Sequence, residues 1–245
     1  MRIWDKKSLV MHLCAVVTVL VASAAPAAPA NAAAHGVKVE FELDCSKAPG
    51  KAKWAKNNLV PYLERSAARV IRLLDGKNAV WNRGSVKIIV DPGCSSPAAA
   101  NAQGKCIWLS PAFMDSHPHE VPGALIHEFT HVVQNYGPEE GRAVPYASVP
   151  GWITEGIADW VRWFNFEGPA GVARATGEAQ RNPKHDAAYG VSASFFDYIV
   201  KKYDRQFVVK LNRLCRDGRY SEEVWVKLTG KSRDALAGEW RRKIK

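Results

Sequence analysis

Residues 124–131 read Ala124-Leu-Ile-His-Glu-Phe-Thr-His131, and the fold of the chain has to be built around this stretch. Histidines four positions apart lie on one face of an α-helix, where both imidazoles can bind one zinc ion. Glu128, between His127 and His131, is placed to take a proton from zinc-activated water, as in H-E-x-x-H metalloproteases. Apolar residues flank the motif at helical spacing, which is typical of a helix half-buried in a core. The stretch therefore predicts a zinc-binding helix.

A catalytic zinc site normally has three protein ligands, and the best candidate for the third is Glu155, separated from His131 by 23 residues. Asp159 shares a helix face with Glu155, so it could accept a hydrogen bond from the outer ring nitrogen of a ligating histidine. The rival assignment makes Asp159 the third ligand. Apolar neighbours argue against a solvated acidic face, because acids among them are costly to bury without a cation.

Residues 1–32 have the layout of a secretory signal peptide, with cleavage expected after Ala32. Arg2, Lys6 and Lys7 give a positive start, and an apolar run follows. That run is shorter than the ~20 residues needed to cross a bilayer, so we expect secretion to the extracellular, periplasmic or cell-wall space and no membrane span.

The remaining residues, 33–245, are expected to form one catalytic domain and a monomer. The formal net charge of the whole chain is +10, and removing residues 1–32 leaves about +8. Such a charge favours contact with polyanions such as acidic cell-wall polymers. Basic residues are scattered, with one modest cluster at the carboxyl terminus, so no specific nucleic-acid partner is expected.

Four of the five cysteines follow residue 32, and an even number in an exported chain predicts two disulfides among three alternative pairings. Cys94 and Cys106 flank a loop rich in Ser, Pro, Ala, Asn and Gly. They could close it, which would leave Cys45 to pair with Cys215.

The order of sequence patterns predicts an α+β fold with a small mixed sheet and a mainly helical carboxyl-terminal half. Strand patterns occupy Val37–Leu43, Val86–Val90 and Cys106–Leu109, and a long helix spans about 51–74. From Val121 onward helical patterns dominate, whereas residues 168–186 are rich in Gly, Pro and polar residues and are predicted to be a loop.

The motifs together resemble the basic secretory protein family of plants and bacteria, which is placed among zincin-like metallopeptidases. The resemblance covers most of the chain after residue 32 and is carried by the segments His127-Glu-Phe-Thr-His-Val-Val-Gln134, Pro150-Gly-Trp-Ile-Thr-Glu-Gly-Ile-Ala-Asp-Trp-Val-Arg162, Tyr189-Gly-Val-Ser-Ala-Ser-Phe-Phe-Asp-Tyr198 and Leu228-Thr-Gly-Lys-Ser232. It implies a zincin-like fold, a Zn²⁺ cofactor and hydrolysis of peptide or protein substrates outside the cytoplasm.

The predicted mechanism assigns Glu128 as the general base, which passes the water proton to the leaving amine. The oxyanion needs a further donor, for which Tyr189 is our choice and His185 the alternative. Because an edge strand commonly pairs with extended substrate in zincins, the resemblance assigns that role to Cys106–Leu109.

Two other functions fit the composition. One is a basic polyanion-binding or defence protein with a non-catalytic zinc site, and the other is a zinc hydrolase of cell-wall peptides. Glu128 favours an enzyme, since binding zinc does not require a general base. His117, His119 and Glu120 match no zinc-ligand template and are expected to be a solvated loop and helix start.

Overall fold

The structure is a computed structural model that describes residues 37–137 and 149–245. The predicted signal peptide, residues 1–32, lies outside the described residues. In chain order the elements are β1 (Phe41–Asp44), a 3-10 turn (Pro49–Lys51), α1 (Ala52–Asp75), β2 (Val86–Val90), β3 (Ala98–Asn101), β4 (Cys106–Leu109), α2 (Pro111–Ser116), α3 (Val121–Gln134), α4 (Gly151–Asp159), a π-helix (Trp160–Phe166), α5 (Gly168–Arg181), α6 (Tyr189–Lys202), α7 (Phe207–Arg216), α8 (Val224–Thr229) and α9 (Arg233–Ile244).

The four strands form one mixed sheet in the order β1-β2-β4-β3. β1 and β4 each run parallel to β2, whereas β3 runs antiparallel to β4. Along β2, Val86, Ile88 and Val90 are buried and Lys87 is exposed, because alternate side chains of a strand point to opposite faces. The buried face packs against α1 and α3. The predicted small mixed sheet is therefore present, followed by a mainly helical half.

Helix α1 crosses from β1 to β2 as one uninterrupted element, although Pro61 lies inside it. Its apolar residues recur at helical spacing and are buried, for example Leu59, Leu63 and Leu74. The helix ends at Gly76, which adopts φ 87 while its N–H donates to the carbonyl of Arg72. Glycine suits this conformation because it has no Cβ.

The strand β3 is absent from the sequence prediction, which treated Ala98–Asn101 as part of a loop. Alanine has little preference for strands, so three in succession give no strand signal. The strand forms because β4 offers it an antiparallel partner across a short turn.

As a result β4 lies between β2 and β3, and the prediction that Cys106–Leu109 is the edge strand is wrong. The edge is β3.

Residues 168–181 form helix α5, which corrects the loop predicted there. Pro169 lies in the first turn, where the missing N–H of proline leaves no bond unmade. Gly171 lies against the backbone of Trp163, where a Cβ would come within 2.6 Å of the carbonyl oxygen. Glycine here serves close packing of α5 on the π-helix rather than a turn.

The structure does not contain the disulfide predicted between Cys94 and Cys106, since both are free thiols. The N–H of Cys94 donates to Asp91, whose own N–H donates to Leu109 at the end of β4. Cys106 begins the same strand, three residues from Leu109 and therefore about 10 Å away. The two thiols instead lie near different carbonyl groups: Sγ of Cys94 is 3.3 Å from the carbonyl oxygen of Ser96, and Sγ of Cys106 is 3.2 Å from that of Gly104.

The pairing of Cys45 with Cys215 is excluded by the length of α1. Cys45 precedes the first turn of α1, whereas Asn212, one turn before Cys215 in α7, donates to the carbonyl of Leu74 at the other end. A helix of 24 residues is about 36 Å long. The two thiols are therefore far apart, and both are buried and free.

Over residues 37–137 and 149–245, no helix is both long and apolar enough to cross a membrane.

Candidate metal centre

Helix α3 presents His127 and His131 on one face, one turn apart. Their ring centroids are 4.7 Å apart, and their Nε2 atoms are 3.0 Å apart. Twelve of the 14 residues of α3 are buried, so the helix lies within the core, and His131 is one of the two that are only partly buried. Asn135 ends the helix in a left-handed conformation at φ 48. The spacing of the motif thus produces the juxtaposition that the sequence predicts.

Glu155, on the facing helix α4, joins the two histidines. Its Oε2 atom lies 3.0 Å from Nε2 of His127 and 3.5 Å from Nε2 of His131. In the part of the chain that the structure describes, these three residues form the only cluster of histidine, cysteine and carboxylate ligand atoms close enough to hold one ion. His117 and His119 are not part of this cluster.

The outer nitrogens of both imidazoles have their own acceptors. Nδ1 of His127 is 2.7 Å from Oδ1 of the buried Asp159. Nδ1 of His131 is 2.7 Å from Oε1 of Gln134, whose Nε2 donates to the carbonyl of Thr154 at 2.9 Å. A proton on each Nδ1 satisfies these acceptors and leaves the Nε2 lone pairs facing inward.

The donor set fits a zinc ion. Zinc bonds of 2.0–2.1 Å in a tetrahedron separate the ligand atoms by about 3.3 Å. The three distances between the Nε2 and Oε2 atoms, 3.0, 3.0 and 3.5 Å, scatter around that value. Two lone pairs and a carboxylate oxygen converge there, and a cation would satisfy all three.

The same convergence shifts the pKa values of His127 and Glu155. Burial lowers the pKa of His127, but hydrogen bonds to Asp159 and Glu155 outweigh it and raise that pKa to about 9. For Glu155, burial raises the pKa, and the hydrogen bonds from His127 and His131 reverse the effect and hold it far below its usual range. A proton and a metal ion would compete for this position.

Glu128 lines the same cleft and is 9% exposed. Burial is the main cause of a raised pKa for its carboxyl group, and His127 and His131 oppose it only in part. A carboxylate with a raised pKa is a better proton acceptor at neutral pH, which suits a general base.

Tyr189 lies at the mouth of the cleft as the first residue of α6. Its ring is 6.2 Å from that of His127 at an interplanar angle of 22°, and it is 53% exposed. Its backbone is left-handed at φ 47, and Ala188 before it has φ 66. The charge of Glu155, followed by burial, raises the pKa of the phenol, so the hydroxyl keeps its proton and can donate it.

His185, the alternative to Tyr189, packs elsewhere. Its ring lies 5.5 Å from Trp152 and 5.1 Å from Phe195, and it is not among the residues that line the cleft.

The cleft has a volume of about 730 Å³ and includes residues that the sequence did not single out for a role. Its lining includes Ala98–Ala100 of the edge strand, together with Arg162, Trp163 and Arg174. Arg162 is held by Glu167 at 2.5 Å. Arg162 ends a segment that carries the family resemblance, whereas nothing in the sequence marks Arg174 or the alanines of β3 as cleft residues.

Comparison with known proteins gives one strong match. The profile of the BSP family, described as "Peptidase of plants and bacteria", matches residues 35–240. A search of curated protein sequences found no match.

Two solved structures resemble parts of the fold. One is a two-domain M1 zinc metallopeptidase variant bound to L-tryptophan, with 14% identity and a TM-score of 0.46. The other is an M1 zinc metallopeptidase from Deinococcus radiodurans, with 17% identity and a TM-score of 0.44. The matches cover 77% and 74% of this chain but only 44% and 43% of those chains. The scores are low, so neither likeness by itself establishes a shared fold.

Proposed function

Because this chain belongs to the BSP family, the peptidases of plants and bacteria, we propose that it is a secreted, zinc-dependent endopeptidase with a zincin-like fold. The observation that carries the proposal is the convergence of His127, His131 and Glu155 beside the buried Glu128. Those three residues would hold the metal, and Asp159 would orient His127. Secretion rests on the signal-peptide pattern of residues 1–32.

Bound zinc supplies Lewis acidity, which polarises a carbonyl and lowers the pKa of water toward ~7. Glu128 accepts the proton of the attacking water and delivers it to the leaving amine. Asp159 and Gln134 keep the Nδ1 atoms of the two histidines protonated, so that both Nε2 lone pairs stay available. Tyr189 would donate its hydroxyl proton in a hydrogen bond to the oxyanion as the carbonyl becomes tetrahedral.

The substrate would lie along β3. In an antiparallel ladder the residues alternate between those bonded to the neighbouring strand and those whose N–H and C=O groups point outward. The N–H of Ser110 donates to the carbonyl of Pro97, so the alternation leaves Ala98 and Ala100 pointing outward. An extended peptide can therefore add to the sheet at this edge.

The decisive experiment is hydrolysis of a broad peptide library by wild type and Glu128→Gln, with and without a zinc chelator. We expect Glu128→Gln to retain zinc and lose about 10²–10⁴-fold in kcat, because only the general base is removed. The matched control is Glu64→Gln, the same change on the exposed face of α1.

The outcomes separate the rival functions. Wild type that binds zinc, cleaves no peptide and retains acidic polymers regardless of chelator would be a binding protein. Cleavage confined to cell-wall peptides would identify a wall hydrolase. Wild type without zinc would contradict the site itself.

A further inference from the structure

Gln134 is the last residue of α3 and is 1% exposed. Each polar atom of its side chain has a partner: Oε1 accepts from Nδ1 of His131 at 2.7 Å, and Nε2 donates to the carbonyl of Thr154 at 2.9 Å. Its backbone carbonyl accepts from Nε of Arg216 at 3.1 Å. The side-chain amide is therefore held at both polar atoms and the backbone at its carbonyl, and the carbonyl of Thr154 fixes which side-chain atom faces the histidine.

The two histidines thus have acceptors of equal distance but different charge. Asp159 places a carboxylate 2.7 Å from His127, and Gln134 places a neutral amide oxygen 2.7 Å from His131. Hydrogen bonding of the outer nitrogen fixes the tautomer and ring orientation of a metal-binding histidine. Without an acceptor at Nδ1, the imidazole can place its proton on Nε2, where it blocks the metal.

The link to Thr154 adds a second constraint. Thr154 directly precedes Glu155 on α4, so the amide joins the helix that carries both histidines to the helix that carries the carboxylate. In the structure the contact spans 20 positions and is part of the packing of α3 on α4. One side chain therefore bears on the position of His131 and of Glu155.

We propose that Gln134 is a positioning residue of the metal centre, which holds His131 in the metal-binding tautomer and ties α3 to α4 beside Glu155. The inference rests on the proposed function only in requiring that zinc binds here. Gln134 is not one of the three residues that would hold the metal, and its effect is on how tightly and in what geometry the metal is held.

The test compares Gln134→Leu with Gln134→Glu and measures zinc affinity by competition with a chromophoric chelator. Leucine removes both side-chain bonds, and we expect zinc to bind about 10–100-fold more weakly. Glutamate restores an acceptor for His131, as Asp159 provides for His127, but cannot donate to Thr154, so it should recover part of that loss. Gln180→Leu, the same change at an exposed residue of α5, is the control and should bind zinc like wild type.

A spectroscopic readout separates positioning from general stability. In the zinc-loaded proteins, imidazole ¹⁵N shifts should show Nδ1 of His131 protonated in wild type and Gln134→Glu, with an altered shift in Gln134→Leu. Thermal unfolding of the chelated proteins monitors folding.

Equal zinc affinity in wild type and Gln134→Leu would overturn the inference, and so would a Gln134→Glu variant as weak as the leucine variant. Failure of wild type to bind zinc would instead overturn the proposed function, so the two failures are distinguishable.

Discussion

The proposed role of Tyr189, a hydrogen bond to the oxyanion, can be tested by a single substitution. Its ring stacks over His127 and its hydroxyl keeps its proton, because the charge of Glu155 raises its pKa. We expect Tyr189→Phe to lower kcat by about 10²-fold with KM little changed, because the donor is used only as the oxyanion forms. Steady-state kinetics with one cleaved peptide, together with zinc content, measures this. Unchanged kcat would show that another group serves the oxyanion.

Individual residues differ in how far the sequence could predict them. The juxtaposition of His127 and His131 follows from helix geometry alone, which is local. The place of Gln134 does not, because its partner Thr154 belongs to another helix. Ala188 is less predictable still: φ 66 with ψ −176 is a conformation that favours glycine, and an alanine gives no signal of it.

At the scale of elements, β3 makes a prediction about its own backbone amides. The amides of Ala98 and Ala100 point to the cleft, whereas those of Ala99 and Asn101 face β4. We expect peptide bound to Glu128→Gln to slow hydrogen exchange at Ala98 and Ala100 selectively, because a substrate strand would bond to them. NMR-detected exchange measures this. The amides of Ala99 and Asn101 are the internal control, and equal protection of all four would contradict strand addition.

Elements with strong local periodicity were predictable, and those formed by tertiary contact were not. Strand β2 and helix α9 follow from the sequence because their patterns and the Ser232 cap are local; the Ser232 side chain accepts from Ala235. Helix α5 was predicted as a loop because its glycines suggested turns, whereas Gly171 is needed where α5 meets Trp163. Strand β3 exists only because β4 is beside it.

For the whole molecule, the lowered pKa of His185 predicts how the free energy of unfolding depends on pH. Burial against Trp152 and Phe195 lowers its pKa, with a further contribution from Arg233 that a nearby aspartate opposes. The unfolded chain then binds more protons than the folded one, so stability is fully present above the unfolded value of 6.5 and falls as pH drops below it.

The measurement is urea unfolding of wild type and His185→Phe between about pH 5 and 7. Phenylalanine keeps a ring between Trp152 and Phe195 but cannot be protonated. We expect the free energy of unfolding to depend less on pH in the variant than in wild type, with chelator present in both series. Parallel pH dependences would assign the effect to other groups.

The fold class was predictable because strand patterns come first in the sequence and helix patterns dominate after them. Pairing of cysteines was not, because it depends on distances that only the assembled fold sets. The length of α1 separates Cys45 from Cys215, and Cys94 and Cys106 are both free thiols. An even cysteine count alone could not reveal either fact.

The contacts of Arg216 connect the metal centre to parts of the chain that are far apart in sequence. It binds the carbonyl of Gln134 across 82 positions and the carboxylate of Asp75 across 141. Contacts between such distant positions form slowly, because the entropy of loop closure must be lost before they can stabilise the chain. Helix α7 therefore has to dock before the support behind His131 is complete.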